Sequence, residues 1–225
     1  MSKASLQEAI MTIEIVPVTQ DNVEQAIALA CQVFKKGDHY AIRQEFRAAV
    51  GLEPENTDVQ DVMEIYRSGY VMALKDGVPA GFSGYYTQIG HEEDIWLGWT
   101  GVLGQFGRLG IGEMITEAAF KAAPTEGVKN LRIWTTDEDQ YASARRLYQR
   151  MGFIEERYSR TAKPWESLSI ARVFTKSAEP ENALRNAWAN SAYRLPDLEL
   201  FDQPRMNEVV RERSEEGTTR RYAVG

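Results

Sequence analysis

A single cysteine, Cys31, stands among 225 residues, so the chain builds neither an internal disulfide framework nor a thiolate metal cage. Histidine is almost as scarce, with only His39 and His91. No apolar run approaches the roughly 18 residues of a membrane helix, so no membrane partner is expected. Gln7 and Glu8 interrupt the apolar stretch that a secretory leader needs, which makes the cytoplasm the expected location. Positive charge is also in deficit: Lys+Arg 26 against Asp+Glu 33, a formal charge of −7. Nucleic-acid binders displace counterions with clustered Lys and Arg, so a nucleic-acid partner is not expected either. What is present is 43% hydrophobic residues in a chain long enough to bury a real core.

Periodicity divides the chain into elements. Thr12–Val18 alternates with period two, as a strand does. Asp21 and Glu24 have capping-box spacing and open a helix with Val23, Ile27, Ala30 and Phe34 on one face and Gly37 beyond its end. Ile42, Phe46 and Ala49/Val50 predict a second helix, ended by Gly51. In Glu53–Glu64 the acids Glu53, Glu55, Asp58, Asp61 and Glu64 accompany Val59, Val62 and Tyr66 at helical spacing. This segment reads as an amphipathic helix with a solvated acidic face, or alternatively as a lid that attracts a cationic substrate.

Tyr70–Leu74, the Asp76-Gly77 pair and Val78–Ile89 form a hairpin with a type I′ turn. Ile95–Leu103 is a third apolar run, broken by Gly98 and Gly101, which mark a bulge or a close backbone approach. Then follow a helix at Ile111–Ala122, a buried strand at Leu131–Thr135, a helix at Tyr141–Met151 stopped by Gly152, and strands at Phe153–Tyr158 and Leu168–Phe174. The order β α α (α) β β β α β α β β is that of an α+β domain with a mixed sheet, spanning residues 12–176. Residues 177–225 form a C-terminal extension with short helical stripes, Leu184, Trp188 and Ala192, then Met206, Val209 and Val210. These stripes are too small to fold alone, so they are expected to pack back on the domain or on a second subunit, a possible homodimer.

The informative segment is Trp99–Gly112, WTGVLGQFGRLGIG. Gly104, Gly107, Gly110 and Gly112 fall between a strand and a helix, where unpaired N–H groups and the positive end of the helix dipole favour phosphate. Arg108 adds a charge of the right sign. A Walker loop would require Lys-Ser/Thr after the last glycine, and here Glu113-Met114 follow. A Rossmann fingerprint runs G-x-G-x-x-G, whereas this loop runs G-x-x-G-x-G. Downstream, Tyr141–Phe153 (YASARRLYQRMGF) sets Ala144, Leu147, Tyr148 and Met151 at helical spacing before Gly152-Phe153.

Together, G-x-x-G-x-G after an apolar strand and A-x-x-L-Y-x-x-x-G-F beyond it resemble the GNAT acetyltransferases, specifically over Ile95–Phe153. The resemblance implies a mostly antiparallel mixed sheet flanked by helices, with acetyl-CoA as cosubstrate and no metal. It implies that Arg108, Leu109, Gly110, Ile111 and Gly112 cradle the pyrophosphate, with Gly104 and Gly107 also in the cofactor site, that Val102 and Leu103 pair with the pantetheine arm, and that Tyr148 protonates the departing thiolate. Gly107 stands where the family often has Arg or Gln, so one phosphate contact is either lost or passed to Arg108, and Tyr141 stands where Asn is frequent. Ser143, in the first turn of its helix, is within the expected reach of the cofactor. Lys163-Pro164-Trp165-Glu166 is similar to a segment of members that acetylate small molecules and amino groups.

The chemistry then calls for three further roles. A backbone N–H near Leu103 is expected to stabilise the oxyanion. The ammonium must lose a proton to a base or a water chain. Leu97 occupies the position where some relatives carry a Glu, which leaves Glu92, Glu93, Asp94, Asp137 or Glu138, with Glu93 the candidate. His91 beside these acids looks like a metal cluster but lacks the helical spacing of a zinc site. The expected activity is acetyl-CoA-dependent N-acetylation of a small-molecule amine. The alternatives are a protein N-acetyltransferase and a non-catalytic acyl-CoA-binding module.

Overall fold

The computed structural model describes residues 12–52, 65–136, 138–160, 171–178 and 198–200. The sheet grows from the turn at Asp76 and Gly77, whose φ values of 50° and 79° are the type I′ geometry that matches strand twist. From it run β2 (Ile65–Lys75) and β3 (Val78–Gln88). Asp76 also accepts the Thr12 N–H at 3.0 Å, docking β1 (Ile13–Pro17) alongside β2. Two aromatic–glycine pairs hold the hairpin: Tyr70 lies opposite Gly84 and Tyr85 opposite Gly69. A Cβ on Gly84 would come within 2.3 Å of the Tyr70 ring, so this position admits only glycine while that ring covers it.

The remaining strands are β4 (His91–Val102), β5 (Asn130–Thr136), β6 (Ile154–Arg160), β7 (Ala171–Ser177) and β8 (Leu198–Leu200). The order across the sheet is β1-β2-β3-β4-β5-β7-β6-β8, antiparallel throughout except for the parallel pair β4–β5. Helices α1 (Val23–Val33) and α2 (His39–Ala49) cover one face with Ile27, Ala30, Ile42 and Phe46 against Tyr70 and Phe82. Helices α3 (Ile111–Ala122) and α4 (Ala142–Arg150) cover the other with Ala119, Phe120 and Tyr148 against Ile95, Leu97 and Phe174. The expected α+β class and mixed, mostly antiparallel sheet are what the chain adopts. No helix among the described residues is long and apolar enough to cross a membrane.

Two local expectations were corrected, and the start of one helix became defined. The capping box at Asp21 and Glu24 does not form: Asn22 is the N-cap of α1, its side chain bracing Pro17 O and Thr19 N, while Glu24 pairs with Arg43 and Arg47. Helix α2 starts at His39 because Asp38 Oδ1 accepts the N–H of Tyr40 and of Ala41, each at 3.0 Å. Strand β4 starts at His91 rather than Ile95, since Gly90 (φ 76°) turns β3 directly into it. Beyond the expected strands, β8 pairs with β6 at the sheet edge. Met1–Met11, the Glu53–Glu64 segment, Asp137, Lys163–Glu166 and the apolar stripes at 184–192 and 206–210 lie outside the described residues.

Candidate active site

The site begins where two parallel strands stop pairing. β4 and β5 are in register only at Asp94↔Asn130, Ile95↔Leu131 and Trp96↔Arg132, yet β4 continues to Val102 and β5 to Thr136. Below the fork they are pinned by a buried network. Arg132 Nε and Asn130 Nδ2 each donate to Asp94 at 2.5 Å, and Arg132 Nη1 donates to Thr175 Oγ1 at 3.0 Å. Above the fork β4 carries a bulge. Tyr85 pairs with Leu97 and Ser83 with Thr100, leaving Gly98 and Trp99 opposite Gly84 alone. A bulge bends its strand and sharpens the local twist, here at the point where β4 leaves β5.

Strand geometry decides which amides face the gap. Leu103 N–H, the expected oxyanion donor, is already engaged: it donates to Ala80 O at 2.9 Å. That expectation is corrected. In an antiparallel ladder the donors alternate in direction, so with Leu103 turned to β3 the N–H groups of Val102 and Thr100 turn to the opposite edge, where no strand pairs among the described residues. The Leu103 side chain packs against the α1–α2 core instead.

From this edge the chain runs straight into the glycine loop. Gly104–Phe106 make one 3₁₀ turn, with Gly107 N–H donating to Gly104 O at 3.1 Å. Arg108 (φ 64°) and Gly110 (φ 78°) then take left-handed backbone. Gly110 caps α3 without any side-chain hydrogen bond, and the amides of Gly110, Ile111 and Gly112 meet no acceptor among the described residues. A Cβ on Gly104 or Gly110 would touch nothing within 4 Å, so the loop borders open space. Leu109 and Arg108 are exposed, whereas Ile111 is buried and anchors the helix. At Gly112 a Cβ would lie 3.3 Å from Leu147, which is how closely the start of α3 approaches α4.

Helix α4 carries Ser143, exposed in its first turn, and Tyr148, buried one face further on. The Tyr148 ring meets Phe174 edge-on at 5.4 Å and Phe153 at 6.4 Å. It shares a cluster with Leu97 and Ile133, each the first residue past the last β4–β5 pair. Tyr148 is thus packed at the fork. Burial alone pushes its phenol up to about 12.

The acids proposed from sequence do not gather here. Glu93 lies on the paired part of β4, five residues before Gly98, roughly 16 Å along an extended strand, so its expected role as base is corrected. Glu92 is exposed and accepts the Gly90 N–H. Asp94 is committed to Arg132. Glu138 is exposed, accepting from Thr136 and Gln140. No three His, Cys, Asp or Glu side chains converge as a metal site among the described residues.

One acid that the sequence reading passed over does reach the bulge. Tyr70 hydroxyl donates to Glu45 Oε2 at 3.1 Å, and the Trp99 side chain is a further neighbour that favours the carboxylate. Burial, only partly offset by these neighbours, pushes Glu45 up to about 7. The available signal was its place in α2, flanked by the core positions Ile42 and Phe46.

A profile of the Acetyltransferase (GNAT) family matches residues 38–153, from the cap of α2 through the fork, the glycine loop and Tyr148. Comparison with curated proteins gave no match. Among solved structures, one described as a GNAT-family acetyltransferase from Desulfovibrio desulfuricans aligns at 14% identity and a TM-score of 0.57, over 74% of this chain and 99% of that one. The ribosomal-protein-S18-alanine N-acetyltransferase of Escherichia coli aligns at 15% identity and 0.52, over 74% and 94%. Arabidopsis thaliana NAA60 with a bisubstrate analogue aligns at 14% and 0.53, over 74% and 98%. These structural likenesses carry the fold, and the profile carries the family: the chain belongs to the GNAT family of acetyltransferases.

Proposed function

We propose that this acetyltransferase moves the acetyl group of acetyl-CoA to the amine of a small molecule. The observation that carries the cofactor reading is the continuity of the site: an unpaired β4 edge at Thr100 and Val102 leads within a few residues to the open amides of Gly110, Ile111 and Gly112. An amide-bearing arm adds to such an edge as an extra strand does, and a pyrophosphate suits the uncapped helix start. Val102, Gly104, Gly107, Arg108, Leu109, Gly110, Ile111 and Gly112 are the residues that would hold the cofactor, with Ser143 beside them on α4. The bound cofactor supplies an activated thioester.

Val102 N–H is the donor best placed along β4 to meet charge developing on a carbonyl oxygen in the gap. Tyr148 keeps its proton and offers it as a hydrogen bond to the departing sulfur. Complete transfer from a phenol near 12 to a thiolate of ordinary pKa is uphill by about 5 kcal/mol. Solvent therefore completes the protonation.

A small amine is favoured by the Lys163–Glu166 resemblance. A peptide amine is the second reading, favoured by the structural likeness to an enzyme whose name specifies acetylation of a ribosomal protein's alanine. Calorimetry with CoA, followed by free-thiol release from acetyl-CoA with alkylamines and short peptides, tests both. Alkylamine turnover above peptide turnover is expected, and the reverse order favours the peptide reading. Binding without thiol release across a broad panel favours a non-catalytic acyl-CoA module. No binding at millimolar CoA overturns the proposal.

Arg108→Gly separates charge from backbone. Left-handed φ costs a non-glycine residue about 1–2 kcal/mol, and glycine's extra chain entropy costs about 0.5–1 kcal/mol, so the loop should persist with Tm nearly unchanged. The CoA Kd should rise by roughly 2- to 10-fold, as expected for one exposed charge-assisted contact. An unchanged Kd by calorimetry would remove Arg108 from the phosphate site.

A further inference from the structure

The fork separates two faces of the sheet, and a different titratable group waits on each. Tyr148 approaches from the α3–α4 face. Glu45 stands on the α1–α2 face, half-buried, at the Gly98–Trp99 bulge. The Tyr70 hydroxyl donates to Glu45 Oε2 at 3.1 Å, and Trp99 of β4 is the neighbour that acts on both groups, lowering the pKa of each. Tyr70 hydroxyl also lies 3.4 Å from where a Cβ would project at Gly98, which sets the Tyr70–Glu45 pair against the β4 bulge.

On the reading that an acetyl group is transferred in the β4–β5 gap, we propose that Glu45 is the base that takes the proton from the ammonium form of the incoming amine on the α1–α2 face. The nitrogen then forms a C–N bond to the acetyl carbon as the C–S bond breaks and the electron pair leaves on sulfur. The nitrogen gives up two protons in all. One passes through Glu45 to solvent, and the loss of the other is balanced by the proton that sulfur gains.

The groups facing Glu45 are consistent with a carboxylate poised to exchange a proton. From β2 comes the Tyr70 phenol, itself held neutral by burial first and by Glu45 second. From β4 comes the Trp99 indole, and Asp38 at the start of α2 adds a repulsive charge. Tyr86 of β3 acts on Tyr70. The other charges of the helix pair are engaged elsewhere: Arg43 and Arg47 hold Glu24 at 3.2 and 2.6 Å, and the His39 ring bonds to Phe34 O at 2.8 Å. Because burial raises its pKa to about 7, Glu45 gains its charge near neutrality, and a reaction that needs the carboxylate accelerates as pH rises through that value.

Glu45→Gln keeps the shape and an acceptor for Tyr70 but cannot take a proton. Two probes separate the roles: benzylamine, an ammonium at neutral pH, and hydroxylamine, already neutral there. The wild-type kcat for benzylamine should show an acid limb near pH 7. In Glu45→Gln, benzylamine turnover at neutral pH should fall by about 10- to 100-fold. Its limb should move toward the amine's own pKa, while hydroxylamine turnover and CoA Kd stay within about 2-fold. Tyr70→Phe keeps the base but removes a hydrogen bond that lowers its pKa, so the limb should move upward with activity retained. An unmoved limb in Glu45→Gln, or an equal loss with hydroxylamine, overturns the assignment and leaves Glu45 a structural residue. So does a wild-type protein that binds CoA yet transfers to neither probe. A protein that fails to bind CoA defeats the acetyl-CoA reading instead.

Discussion

Asp94→Ala should lower the unfolding free energy by about 3–5 kcal/mol, the usual cost of stripping one partner from a buried ion pair. Both side chains are 1% exposed, so neither charge has water to fall back on. Asp94 takes Arg132 Nε on one oxygen and Asn130 Nδ2 on the other, both at 2.5 Å. With the carboxylate gone, the guanidinium loses this charge partner, while Thr175 Oγ1 at 3.0 Å and the Trp96 ring at 5.9 Å stay beside it. A hydroxyl and a ring face do not replace a counter-charge at low dielectric. Replacing both members, Asp94→Leu with Arg132→Met, should restore part of the loss, because both charges of the buried pair leave together. Urea denaturation measures both. A loss below about 1 kcal/mol for Asp94→Ala would mean that the pair is as weak as a surface one. The position matters for function as well, since Asp94, Asn130 and Arg132 occupy the first and last rungs of the β4–β5 ladder on which the fork rests.

Tyr148→Phe should reduce acetyl-transfer turnover by one to two orders of magnitude, about 1.4–2.7 kcal/mol in the barrier. The loss has a ceiling because the phenol donates a hydrogen bond rather than completing the proton transfer, and solvent can stand in for the second step. Stability should barely move. The ring contacts with Phe153 and Phe174 survive, and no hydrogen bond contributes to the environment of the hydroxyl that is deleted. The pH behaviour is a separate check. A phenol held near 12 is protonated at every pH at which the enzyme is assayed, so the deficit should be constant across the neutral range. The acid limb belonging to the base should stay where it is. Unchanged turnover, with chemistry shown to be rate-limiting, would remove Tyr148 from the mechanism.

Much of the fold followed from local rules acting on a few residues. Asp76-Gly77 is a pair that tolerates positive φ in a two-residue link, and a hairpin formed. Ile111, Ile115 and Ala122 repeat at helical spacing after Gly110, and the helix runs from Ile111 to Ala122 as read. The polar run Glu92–Asp94 misled, because its identity as strand depends on Arg132, which lies 38 residues away from Asp94 in sequence and makes an acid tolerable in the core.

What the sequence determined by itself is therefore the set of elements, the fold class and the glycine loop. Turn chemistry, hydrophobic period and the uncapped start of a helix all act over a few neighbouring residues. Only the tertiary structure decided which groups meet. The β3–β4 ladder decided which amides face the gap, so Leu103 N–H went to Ala80 and Val102 took the open edge. Packing of α2 over Tyr70 and Trp99 turned Glu45 into a near-neutral titrating group, while Glu93 was left far down the strand. Register, burial and proximity depend on residues brought together from distant parts of the chain, and no window of the sequence contains them.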